Sequence, residues 1–135
     1  AKRAGLEACC GGIIGMGETE EDRVSLAFEL RELEVESIPV SFLDPRPGTP
    51  LGGVDRMSPV QCLRTLCMFR FVNPTRDIRV AGGREANLRR MQPFALYPAN
   101  SLFVDGYLTT GGQGYEADIQ MIEDAGFRVA AIVAE

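Results

Sequence analysis

Short apolar runs and stretches with apolar residues every three to four positions take turns along this chain. Glu7-Ala8-Cys9-Cys10 reads as a first strand leading into a glycine-rich turn, Gly11 to Gly17. Glu18-Thr19-Glu20-Glu21-Asp22 then opens a helix: Thr19 and Asp22 have capping-box spacing, and an acidic first turn suits the helix dipole. Val24, Leu26, Ala27, Leu30 and Leu33 recur at helical spacing, and Glu32, Glu34 and Glu36 read as the solvated end of that helix. Ser37 to Leu43 reads as a short strand whose Pro39 belongs near an end or a bulge. Asp44 to Gly53 is a loop rich in proline and glycine. Ser58-Pro59 starts a second helix carrying Leu63, Leu66, Cys67, Phe69, Arg70 and Phe71, stopped by Pro74. Asp77 to Ala81 is a strand ending at Gly82-Gly83, and Asn87 to Leu96 a helix with Leu88, Met91 and Leu96 inward. Ser101 to Val104 is a fourth strand. A loop from Thr109 to Gly114 precedes a helix from Ala117 to Asp124, closed by Gly126, and Phe127 to Val133 is a short final strand.

This alternation, in units of roughly 30 residues, is the signature of α/β architecture: a parallel sheet with crossover helices. A Rossmann-type open sheet and a piece of a (β/α) barrel both fit, and four units are half of an eight-fold barrel. The 135 residues allow one ordinary domain, and an apolar share of 45% with a charged share of 24% is that of a soluble globular protein. The absence of His removes Ser-His-Asp and Cys-His catalysis and imidazole metal sites. A net charge of −5 argues against nucleic acid as a partner, and no apolar run is long enough for a membrane span. The acidic composition and free-thiol cysteine pattern point to the cytoplasm. Lys2 is the only lysine, so the positive charge inside the fold is arginine. The chain does not begin with Met, and Ala1-Lys2-Arg3-Ala4 reads as the middle of a longer or processed chain.

In either fold, functional residues collect at strand ends. Arg79 stands between Ile78 and Val80 in an apolar strand; facing inward it needs a carboxylate, an anion or a cluster sulfide, and facing outward it pairs with a helix acid. The glycine run is no P-loop, because no Gly-Lys-Ser/Thr follows, and Gly15-Met16-Gly17 lacks the third glycine of a dinucleotide fingerprint. Such a run also permits close backbone approach to a flat ligand, with Glu18 fixing the turn. Cys9 is a metal ligand or a small buried apolar residue, and Cys10 faces the other way on a regular strand. Cys62 and Cys67 read as helix-packing residues.

Cys9 to Thr19 resembles the fifth-strand region of biotin synthases. So do Ser37 to Leu43 with Pro47-Gly48-Thr49-Pro50-Leu51, Ile78 to Glu85, Ala99-Asn100-Ser101, and Gly106-Tyr107-Leu108-Thr109-Thr110, in the family's order and spacing. The resemblance implies the C-terminal half of a (β/α)8 TIM-type barrel, with residues 1–135 a single partial domain. It implies a radical S-adenosylmethionine (SAM) enzyme, a sulfurtransferase inserting sulfur into dethiobiotin to form biotin. A 4Fe-4S cluster would generate the radical and an auxiliary 2Fe-2S cluster would donate the sulfur. Cys9 matches a cysteine ligand of the auxiliary cluster and Arg79 its arginine ligand, with Ser37 and Ser101 near it. Gly11, Ile13, Gly15 and Glu18 match a motif beside the SAM adenine, and the loop after Leu43 forms another wall. Ser41 stands where many members carry a substrate-contacting asparagine, and Cys10 where the familiar form often has serine. A flavodoxin or ferredoxin donor and a homodimer are the implied partners.

The family's Cys-x3-Cys-x2-Cys motif is absent from this sequence, so the chain alone is expected not to cleave SAM. The competing expectations are a non-catalytic half-barrel partner or remnant, and a related radical enzyme such as a hydrogenase maturase. Arg79 together with Cys9 favours biotin synthase.

Overall fold

The computed structural model describes residues 2–106 and 111–130. Its strands are β1 (Gly12–Ile14), β2 (Ser37–Phe42), β3 (Asp77–Val80) and β4 (Ser101–Leu102). Its helices are α1 (Glu20–Glu32), α2 (Pro59–Val72), α3 (Arg84–Leu88) and α4 (Tyr115–Asp124). The strands form one sheet in the order β1-β2-β3-β4, and every neighbouring pair is parallel. A doubly wound sheet reverses its strand order at a switch point. Among the described strands there is no reversal, and the alternation with helices is that of half a (β/α) barrel.

The two sheet faces differ. Ile14, Ile38, Val40, Phe42, Ile78 and Val80 are buried, and they share one core with Ala27 and Leu30 of α1 and Cys62, Leu66 and Phe69 of α2. The alternate positions of β2, Ser37, Pro39 and Ser41, are only half-buried, as is Arg79 of β3. In a closed barrel this second face would be the interior.

Both long helices start at the expected caps. Thr19 Oγ1 accepts from the Asp22 amide at 3.1 Å while Asp22 Oδ2 accepts from the Thr19 amide at 2.8 Å. Ser58 and Gln61 make the same reciprocal pair ahead of Pro59. No helix among the described residues is long and apolar enough to cross a membrane.

Several elements differ from the sequence expectations. The first strand is not at Glu7–Cys10 but within the glycine run, at Gly12–Ile14; Cys9 makes only an isolated bridge to Ser37. Pro39 lies mid-strand. The Ser37 amide and carbonyl both point at β1, so two residues on, the missing Pro39 N–H also falls on that side, where β1 is interrupted between Cys9 and Gly12. Gly11 fits the interruption because a Cβ there would sit 1.9 Å from the Pro39 carbonyl oxygen. Glu36 is not a helix end: it accepts from the Lys2 ammonium and the Ala8 amide, each at 2.6 Å, which hold it at about 2. The expected helix over 87–96 is instead α3 followed by a 3-10 helix, Arg89–Leu96, because Arg89 takes a positive φ of 52° and Pro93 lies within the second piece. α4 begins at Tyr115 rather than Ala117, β4 ends at Leu102, and residues 127–130 form no strand. Cys67 is exposed rather than packed, as are Val24 and Leu33. Tyr107 to Thr110, and residues 131–135 of the expected final strand, lie outside the described residues.

Candidate functional site

Parallel register places partners on one face, so the open face can be laid out in rows. Cys9 pairs with Ser37, and Ser37 with Asp77. One step further along, Pro39 pairs with Arg79 and Arg79 with Ser101. The next row holds Ile13 opposite Ser41. Cys9 and Arg79 are thus two strands apart, roughly 9.5 Å across the sheet, and two residues apart along it, roughly 6.5 Å.

Arg79 faces this open side. Its Nε donates to Ser101 Oγ at 3.0 Å and its guanidinium carbon lies 5.6 Å from the centre of the Phe103 ring. Among the described residues neither of its Nη groups donates a hydrogen bond, and no carboxylate pairs with it. Arg79 thus lies on the face away from the helices, and among the described residues no helix acid pairs with it. Ser37 Oγ is buried without a hydrogen-bond partner, and the Cys9 thiol beside it in register is exposed. A soft sulfur donor, an orphaned hydroxyl and an uncompensated guanidinium suit an anionic, sulfide-containing group. Among the described residues no cluster of three or more Cys, Asp or Glu could hold a metal ion.

The carboxyl ends of β1 and β2 make a second feature. Ile13 is 51% exposed, opposite Ser41, and the Leu43 amide donates to the Ile14 carbonyl. The chain then turns through Gly15 and Gly17, at φ 97° and 108°. Glu18 accepts from the Gly15 and Met16 amides, both at 2.7 Å, and from Arg23 Nε at 2.7 Å. Burial alone would raise the Glu18 carboxyl; the Gly15 amide and the Arg23 guanidinium outweigh it and hold it below its ordinary value. Ile13 stands exposed ahead of this turn, and Leu43, half-buried, follows the end of β2 beside it. Gly11, by contrast, stands at the β1 interruption rather than in the turn.

Two groups were missed from the sequence. Phe103 follows Ser101 by two residues, which places it on the Arg79 face; that spacing was the available signal. Arg84 is buried after the Gly82-Gly83 turn, and no periodicity marks it. Its Nη2 donates to Asp118 Oδ1 at 2.6 Å, to Glu85 at 2.8 Å and to the Phe103 carbonyl at 3.3 Å, and Nη1 donates to Gln92. Asp118 is fully buried and also accepts from Gln113 at 2.7 Å and from the Asp105 amide at 3.2 Å. The pair ties α4 to the β3–α3 turn.

The family model described as the Biotin and Thiamin Synthesis associated domain matches residues 39–128. The chain is 63% identical, over 94% of its length, to a biotin synthase of Salinibacter ruber. It is 56% identical over 92% of its length to one of Staphylococcus haemolyticus, and 56% identical over 96% to one of Bacillus mycoides. It spans only 35–39% of the length of these curated relatives, aligning with their C-terminal part.

Proposed function

The chain belongs to the Biotin and Thiamin Synthesis associated domain family, and from that premise we propose that it is the C-terminal part of a biotin synthase, a radical SAM enzyme that inserts sulfur into dethiobiotin. Residues 1–135 are then one partial domain, the second half of the barrel. The observation that carries the reading is the shared open face, which carries Cys9, the orphaned Ser37 hydroxyl and an Arg79 whose terminal nitrogens have no hydrogen-bond partner among the described residues.

On this reading an auxiliary 2Fe-2S cluster, when bound, supplies the sulfur. Cys9 gives it a thiolate ligand and Arg79 an arginine ligand. Ser101 holds Arg79 Nε, which leaves the rest of the guanidinium for the cluster. Ser37 offers its hydroxyl to the same group. Around the mouth, Ile13 and Leu43 pack against the adenine of SAM while Glu18 keeps the Gly15–Gly17 turn in shape. Ser41, in the Ile13 row, lies between the two regions and contacts substrate. The ligands of the 4Fe-4S cluster and the rest of the auxiliary set come from the remainder of the longer protein, since the four cysteines here contain no Cys-x3-Cys-x2-Cys motif. A flavodoxin or ferredoxin supplies electrons, and the whole enzyme is a homodimer.

Anaerobic assembly of the protein carrying this chain with iron and sulfide, followed by incubation with dethiobiotin, SAM and a reduced flavodoxin, tests the reading. Biotin detected by mass spectrometry is the expected result. A protein loaded with both clusters that consumes SAM and yields no biotin would overturn it.

A further inference from the structure

Arg79 is a long side chain on an open face, and among the described residues its one hydrogen bond is at Nε, which leaves the terminal nitrogens without a hydrogen-bond partner there. Beside them lies the Phe103 ring, 5.6 Å from the guanidinium carbon, within the range of a cation–π contact. Phe103 is itself fixed at both ends of its backbone. Its amide donates to the Val80 carbonyl at 3.0 Å, and its carbonyl accepts from Arg84 Nη2 at 3.3 Å. Arg84 cannot move freely, because it is buried and paired with the fully buried Asp118. A continuous set of contacts therefore runs from α4 through Arg84 and Phe103 to Arg79.

We propose that Phe103 is a positioning residue: the Arg84–Asp118 pair holds its backbone carbonyl, and its ring aims the far end of Arg79 at the auxiliary cluster. The inference rests on the reading of Arg79 as a cluster ligand. Ser101 anchors the guanidinium at Nε and the ring sets its plane, so the two terminal nitrogens would be presented to the open face in one orientation. An aliphatic residue of similar bulk fills the space but supplies no π face.

The test is made in the whole protein with its clusters assembled, by resonance Raman and visible absorption spectroscopy, which report on the cluster irrespective of turnover. Phe103→Leu and Phe103→Met are compared with Phe103→Tyr and with Arg79→Ala. We expect the bands of the Leu and Met variants to shift toward those of Arg79→Ala, and those of Phe103→Tyr to stay at the parent position. Circular dichroism identifies any variant that has not folded, and the other aliphatic variant then carries the comparison. If Arg79→Ala alters the bands and the folded Leu or Met variant does not, the positioning role is overturned while the ligand role stands. If Arg79→Ala leaves the bands unchanged, the ligand role falls, and the inference with it.

Discussion

Glu18 shows how one side chain can set the shape of a loop. Its two oxygens bind successive amides of a turn whose glycines take left-handed φ, so the ionised carboxylate is part of the fold. Because the folded carboxyl is held below its ordinary value near 4.5, its contribution is present above that value and is lost as pH falls through the lowered one. Thermal melts of the parent should therefore lose stability below about pH 4.5 more steeply than melts of Glu18→Gln, with parallel curves counting against the brace. The cysteines divide just as clearly by environment. Burial pushes the Cys62 thiol up to about 12, while Cys9, Cys10 and Cys67 are exposed. Iodoacetamide near neutral pH should label Cys67 in the native protein and reach Cys62 only on unfolding, as read by peptide mass spectrometry.

Among the elements, the caps and stops of α1 and α2 were legible because Thr19, Ser58, Pro59 and Pro74 act through local hydrogen bonds and fixed backbone angles. Arg79 on its strand was legible for a similar reason, since alternation with two apolar residues is a property of the strand alone. β1 was misplaced because its pairing with β2 is non-local: Gly12–Ile14 is a strand only because Val40–Phe42 lies beside it. The Arg84–Asp118 pair was illegible because its partners are 34 residues apart and meet only once α4 docks. Removing one member of a buried pair strands the other's charge. Asp118→Ala should therefore lower stability by about 3–5 kcal/mol, against about 1 kcal/mol for the exposed cap change Ser58→Ala. Denaturant titrations of the two variants make the comparison, and equal midpoints would show that Arg84 finds another partner.

At the scale of the molecule, the sheet buries one face under helices and leaves the other open, with Ile13, Ser41 and Arg79 in view. That asymmetry, with the described strands in chain order and no reversal among them, is the geometry of a barrel wall. It agrees with a chain that aligns with the C-terminal 35–39% of biotin synthases. The proposed reading puts the auxiliary cluster on this open face, which Cys9 reaches by a single bridge rather than from within a regular strand. The most direct measurement is the iron content and visible spectrum of the whole protein, assembled anaerobically, in parent form and as Cys9→Ala. On the proposed function the parent should carry two clusters, and Cys9→Ala should lose the auxiliary absorption while keeping the other cluster. A Cys9→Ala protein with the parent's iron content and spectrum would contradict the assignment of this face.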